Sequence, residues 1–274
     1  MERQWIITSK NHQSRIDDFA YSQGINKTVL KDIKMNGDIL VDGIHRTVRY
    51  LLNEGEVVTF IFPKENNQIP PENIPLCIVY EDDYLVVIDK QKGIPCIPTR
   101  AHPCHTLANA LSHYYRQIHL DSTVHLVNRL DKDTAGLMIV AKYRIIHDMM
   151  CKNISHIYRK YRAHVEGVID EQGIIDLPIH RFGYQMKREI HELGKPSRTH
   201  YYRITHDEKT SYVECILETG RTHQIRVHLS HIGHPLIGDE IYGHSNGYFD
   251  LTSIMVAFIH PVTKQIKVIK KEHY

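Results

Sequence analysis

Residues 124–141 read Val-His-Leu-Val-Asn-Arg-Leu-Asp-Lys-Asp-Thr-Ala-Gly-Leu-Met-Ile-Val-Ala. The pattern is two apolar strands, Val124–Val127 and Leu137–Ala141, joined by a polar loop that carries Arg129, Asp131, Asp133 and Gly136. Loops held between rigid strands are where proteins display reactive groups, so these carboxylates are the first candidates for chemistry.

Strands continue outward from this stretch. Leu76–Tyr80 and Tyr84–Asp89 flank the turn Glu81-Asp82-Asp83, and Gly93 marks a further turn after Lys90. Thr106 is a plausible N-cap for a helix through Leu107, Ala110, Leu111 and Tyr114. Downstream, Ile145, Ile146, Met149 and Met150 repeat at helical spacing, with the Met pair read as core filler. Strands at Tyr161–Val168, His200–Ile204 and Ser211–Leu217 precede a helix with the stripe Ile225, Leu229 and Ile232, stopped by Gly233. Residues 1–64 form a small αβ unit, with helical repeats at Ile16, Phe19, Ala20 and at Val29, Leu30, Ile33, then strands near Asp38–Val41 and Val57–Phe62. Four prolines between 63 and 75 predict an exposed linker at 65–75, with the second domain spanning 76–274.

With 274 residues, 42% of them apolar and 24% charged, the chain is globular and large enough for a medium domain plus a small one. No stretch approaches the ~18 apolar residues of a membrane helix. Met1 to Ala20 interleaves charges with apolar residues and lacks a signal-peptide core, so a cytoplasmic location is expected. Five cysteines without a CxxC pair fit reduced thiols. A net charge of +2 is too small to imply a nucleic-acid partner, so that case must come from local clusters. Residues 142–203 hold twelve Lys and Arg against seven Asp and Glu, as a phosphate-contacting surface would.

Three clusters compete for function. Glu218 to His228, continuing to Asp239, places Arg221 and Arg226 near a glycine-led helix start, where they would hold a phosphate or pair with a buried carboxylate; the plain alternative is a basic surface helix. His223, His228, His231 and His234 invite a metal, but the arginines among them would repel a dication, and no metal is expected. His102-Pro103-Cys104-His105 offers too few ligands and reads as a tight loop. In Arg159-Lys160-Tyr161-Arg162, strand alternation sends Tyr161 to one face and its immediate basic neighbours to the other. Asp131-x-Asp133 also resembles an aspartyl-phosphate site, but that chemistry wants its carboxylate directly after an apolar strand, and Asn128 and Arg129 intervene.

Taken in order, these segments resemble the RluA-type family of RNA pseudouridine synthases. Val124 to Leu137 is similar to the family's H-R-L-D-x-x-T-S-G-L signature, Lys160 to Gly167 to its tyrosine-bearing strand, and Leu217 to His228 with Gly233 to Asp239 to its long third motif. Asn128 stands for the usual His, Ala135 for Ser, and Gln91 for the Pro that commonly follows the lysine. Residues 1–64 resemble an S4 domain, a small RNA-binding module, at Arg15–Phe19, Gly37–Gly43 and Glu54–Val57, although residues 1–65 hold nine basic and nine acidic residues. The resemblance implies an α+β class: a mixed, largely antiparallel sheet with flanking helices and a central cleft, preceded by the S4-like unit. It implies a monomeric isomerase of ribosomal or transfer RNA that needs no cofactor, metal or membrane. Asp131 is the implied catalytic carboxylate, Arg226 its ion-pair partner and Tyr161 the stacking residue. Arg129, Lys160, Arg221, His223 and Gln224 are the expected RNA contacts. The rival is an RNA-binding protein that has lost activity, against which the intact Asp131, Tyr161 and Arg226 argue.

Overall fold

A computed structural model describes residues 1–183, 185–244 and 247–271. In chain order the elements are β1 (Glu2–Ile6), α1 (Ile16–Ser22), α2 (Lys27–Asn36), β2 (Asp38–Val41), β3 (Ile44–His45), β4 (Val57–Ile61), β5 (Ile78–Glu81), β6 (Leu85–Lys90), α3 (Leu107–Gln117), β7 (His125–Leu126), β8 (Ala135–Ala141) and α4 (Arg144–Lys152). There follow β9 (Tyr158–Glu166), β10 (Gln172–Asp176), β11 (Ile179–His180), β12 (Glu189–Ile190), β13 (Arg198–His206), β14 (Thr210–Leu217), α5 (Gln224–His231), β15 (Leu251–Ile259) and β16 (Ile266–Lys270). The first unit holds a four-stranded sheet, β1-β4-β2-β3, with α1 and α2 beside it in the chain. The rest is built on a ten-stranded sheet ordered β10-β13-β14-β9-β15-β8-β6-β5, with β16 on β15 and β7 on β8. Its pairings are antiparallel except β8 with β15, so the mixed, largely antiparallel α+β class is borne out.

The apolar runs of β6 and β8 follow from burial on both faces. Alternation sends Leu85, Val87, Leu137 and Ile139 into one cluster, and Val86, Ile88, Met138 and Val140 into another. The second cluster also takes Leu107 and Leu111 of α3 and Tyr161 of β9, and it underlies the site. The first runs unbroken into Ile16, Phe19, Leu30 and Phe60, so the N-terminal unit and α4 share the opposite face. Thr106 caps α3 as the sequence predicts, exchanging hydrogen bonds with Asn109. Gly136 lets β8 approach β15: its φ is +104° and a Cβ there would lie 2.2 Å from the Ser253 carbonyl oxygen.

Two expectations change. The proline-rich segment 65–75 is strapped along the second unit rather than hanging free. Asn67 Nδ2 donates to Ser112 Oγ (3.2 Å), which donates to the Ile69 carbonyl (2.7 Å), and Asn109 Nδ2 donates to the Pro70 carbonyl (2.8 Å). Glu65 accepts from the Thr123 and Arg144 amides. Prolines remove donors from this stretch, yet its carbonyls and side chains still find partners on α3. The sequence reading also passes over β15, which pairs with β9, β8 and β16 at the heart of the sheet. Most of Leu251–Ile259 is buried, so no clean alternation marks it.

Removing residues 1–64 therefore uncovers part of the shared cluster. Exposing only about 100 Å² of apolar surface costs about 2.5 kcal/mol, which corresponds to about 5 °C or more in melting temperature for a chain of this size. We expect the fragment from residue 65 to melt lower than the full chain and to bind a hydrophobic dye. Equal melting without dye binding, in a thermal-shift measurement, would contradict the shared core.

Candidate active site

A cleft of about 660 Å³ opens over the sheet between the 126–132 loop, the start of β9 and the 217–222 turn after β14. Asp131, Tyr161, Arg129 and Arg221 all line it. A larger cleft, about 890 Å³, lies between the N-terminal unit and α4, bordered by Trp5, Gly24, Met149 and His260. It contains none of the predicted site residues, and the smaller cleft is the one where carboxylate, tyrosine and arginines converge.

The loop between β7 and β8 presents Asp131. Its position is fixed from below by Lys90 at the end of β6, a buried side chain whose Nζ donates to the carbonyls of Gln91 (2.9 Å), Ile94 (2.9 Å) and Lys132 (3.0 Å). The amide of Gly93 donates to the same Lys132 carbonyl. Gln91 serves through its backbone carbonyl while its side chain is exposed, so the loss of proline there leaves the anchor intact. Lys90 was not singled out from the sequence; a lysine ending a strand whose first four residues are apolar was the available signal.

Arg226, from α5, approaches Asp131 but is not its exclusive partner. Nη1 stands 3.7 Å from Asp131 Oδ2, whereas Nε and Nη2 make a bidentate pair with Asp239 at 2.8 and 2.7 Å. The expected two-member ion pair is thus corrected to a three-member arrangement. Asp239 lay within the quoted motif and received no role from the sequence. Its Oδ1 also accepts from the amides of Ile241 (2.9 Å) and Tyr242 (3.1 Å). Burial raises the Asp239 pKa, but the bonds and charge of Arg226 and these amides outweigh it and leave the carboxyl below its ordinary range. No hydrogen bond to the Asp131 carboxylate itself is found among the described residues, so both its oxygens can face a substrate.

His223 caps α5 in the left-handed conformation, φ 58°, with Nε2 3.9 Å from Asp131 Oδ2 and Nδ1 2.8 Å from the Tyr242 hydroxyl. Burial pulls its pKa down despite the attraction of Asp131, which favours the neutral ring. Tyr161 is buried against the cleft, and desolvation pushes its phenol pKa up, against the opposing pull of Arg159. Arg129 and Arg221 are exposed at the cleft.

Two expected RNA contacts are placed elsewhere. Lys160 faces away from Tyr161, as alternation predicts, and pairs with Glu214 at 2.6 Å. Gln224 is buried and its amide is consumed by the fold: Oε1 accepts from Thr219 Oγ1 and the Arg221 amide, and Nε2 donates to the Arg198 carbonyl and Thr199 Oγ1. The surface-helix alternative for α5 also fails, because Gln224 through Leu229 are all buried. The histidines do not converge. His228 sits between Thr199 Oγ1 and the Leu177 carbonyl, and His234 contacts the Glu166 carbonyl. Among the described residues, ligand-type atoms gather only at Glu72, Cys104 and His105, an open surface group.

A sequence model described as RNA pseudouridylate synthase matches residues 84–231. The uncharacterized RNA pseudouridine synthase YjbO of Bacillus subtilis (strain 168) is 39% identical over 260 residues, 91% of this chain and 92% of that protein. The chain belongs to the RNA pseudouridylate synthase family. It is accordingly an isomerase that converts uridine to pseudouridine in RNA. Ribosomal large subunit pseudouridine synthase D of Pasteurella multocida (strain Pm70) is 37% identical over 233 residues, covering 81% of this chain and 69% of that one. The solved structure of human RNA pseudouridylate synthase domain containing 1 shares the fold, with a TM-score of 0.60 at 24% identity over 74% of this synthase and 86% of the human chain.

A carboxyl whose pKa is depressed by folding contributes stability that is complete above its unfolded value, about 3.9, and is lost as pH falls through the folded value. Removing one member of a buried pair costs about 3–5 kcal/mol. Asp239→Asn is therefore expected to lower the melting temperature at pH 7 and to flatten its decline below about pH 4. A wild-type melting temperature at pH 7 would contradict the assigned pairing.

Proposed function

We propose that Asp131 is the catalytic carboxylate of this synthase, that Tyr161 supports the uracil, and that Arg226 is the cation set beside Asp131 in the closed site. The observation that carries this reading is the Asp131 carboxylate standing in the cleft with Tyr161, 3.7 Å from Arg226 and with no hydrogen bond to its oxygens among the described residues. Isomerisation breaks N1–C1′, turns the uracil, joins C5 to C1′, releases the C5 proton and leaves a proton on N1. Asp131 either attacks C1′ or takes a sugar proton, and both routes require it ionised. The raised pKa of Tyr161 keeps its phenol protonated, which supports a stacking platform better than a base.

The substrate is a structured RNA, and ribosomal RNA is the first to test because the Pasteurella relative bears a ribosomal large subunit name. The target base must leave its stack, at a cost of a few kcal/mol that is lowest in loops. Arg129, exposed beside Asp131, is suited to fill the vacated space, and Arg221 and His223 to meet flanking phosphates. Residues 1–64 serve as an S4-like RNA-binding unit; two helices against a small sheet support this. We place the protein in the cytoplasm, acting as a monomer without metal.

Tritium release from C5-labelled total RNA tests the reading. Wild type should release tritium in excess EDTA, and Asp131→Asn should be at least about 10³-fold slower while keeping its melting temperature. Release by Asp131→Asn at the wild-type rate would remove the carboxylate from the mechanism, and loss under EDTA would remove metal independence.

A further inference from the structure

We propose that Arg159, together with the Asn128 amide, receives the carbonyl edge of the uracil and stabilises the electron pair the base carries when N1–C1′ breaks. This rests on the assignment of the cleft as the synthase site. Arg159 precedes Tyr161 by two residues on β9, so both side chains share a face, and both line the cleft with Asp131. Only 5% of the residue is exposed, and its Nε is buried without a hydrogen-bond partner. Among the described residues no carboxylate lies within ion-pairing distance of its guanidinium. A buried cation without a counter-ion is costly, and a ligand that completes it explains its retention.

Two further features point the same way. A Cβ at Gly220 would stand 2.6 Å from Arg159 Nη1, which places the guanidinium directly against the turn after β14. Asn128 is also buried and lines the same cleft. Its Oδ1 accepts from the Ile139 amide at 2.8 Å, which fixes the amide orientation and leaves Nδ2 as a buried donor with no partner. Two orphan donors beside a tyrosine platform match a planar ring with two carbonyl acceptors. Along a strand, positions two apart are separated by about 6.6–6.8 Å, which puts the edge of a ring held at Tyr161 within reach of the guanidinium. Phosphates are met instead by Arg221, which is exposed at the rim of the cleft.

The assignment holds for either role of Asp131. In both, the N1–C1′ pair leaves with the uracil, spreads onto O2 and O4, and is returned when C5 bonds to C1′, the C5 proton departs and N1 is protonated. Fixed donors aimed at developing charge are worth about 10²–10³ in kcat each. Arg159 and Asn128 are thus separate from the groups that hold the RNA backbone.

Steady-state tritium release from C5-labelled total RNA, with melting temperatures, separates the outcomes. Arg159→Met should melt at or above wild type, because an unpaired buried charge is removed, yet lose about 10²–10³-fold in kcat with KM changed by less than about threefold. Arg159→Lys should retain part of that rate, and Asn128→Asp, which keeps the acceptor for Ile139, should also fall in kcat. A kcat for Arg159→Met within about threefold of wild type overturns the proposal, as does a KM rise that matches the loss in kcat/KM, which would assign the guanidinium to a phosphate. A lowered melting temperature, with kcat normal in Arg159→Lys and Asn128→Asp, would make Arg159 structural and also overturn it. An inactive wild type would instead remove the underlying assignment of the cleft.

Discussion

The guanidinium of Arg226 is taken up by Asp239 through two hydrogen bonds and still stands 3.7 Å from Asp131. This division of one cation between two carboxylates sets the electrostatics of the site. Had Arg226 clamped Asp131 directly, its bonds would occupy the oxygens that must reach the nucleotide. Asp239, fully buried and accepting from two amides as well, satisfies the directional demands of the guanidinium. Asp131 then receives the longer-range Coulombic benefit while its lone pairs stay free. Buried ion pairs are weak sources of stability, because desolvation offsets much of their attraction. Here the arrangement is better understood as fixing the position of a charge than as holding the fold together.

That same logic sorts the other cations of the cleft. Arg129 and Arg221 are exposed, where water screens them, and Arg221 Nε donates to the Pro196 carbonyl at 3.1 Å. Lys90 is buried and surrounded by three carbonyls, which spends its charge on the geometry of the Asp131 loop. Lys160 is neutralised by Glu214 on the far side of β9. These four basic residues thus do unlike work, decided by their exposure and by which partner each one meets.

The sequence made the periodic parts legible. The apolar runs of β6 and β8, the Thr106 cap of α3 and the alternation around Tyr161 are local patterns, and the structure reproduces them. Asp131, Tyr161 and Arg226 were brought together by resemblance to a family; their shared cleft depends on pairings across some hundred residues that no local pattern encodes. For the same reason Asp239 was quoted without a role, since burial decides whether a carboxylate is a surface charge or a counter-ion. Gln224 was misassigned because a polar side chain near a binding motif looks the same in sequence whether it faces RNA or the backbone of β13. β15 lacks alternation, and its apolar run Ile254–Ile259 was the signal passed over.

The N-terminal unit raises a geometric constraint on any RNA it holds. Its core residues Ile16, Phe19, Leu30 and Phe60 belong to the cluster on one face of β6 and β8, while Leu130 and Tyr161 belong to the cluster on the other. Strands at that end of the sheet finish at β5. The two cores therefore lie on opposite faces of the sheet. Because the unit is joined through a strapped segment and a continuous apolar cluster rather than a flexible tether, it would hold such an RNA at a fixed distance from Asp131. A fixed distance selects among uridines by the shape of the surrounding RNA, which lets specificity arise without reading many bases in the cleft itself.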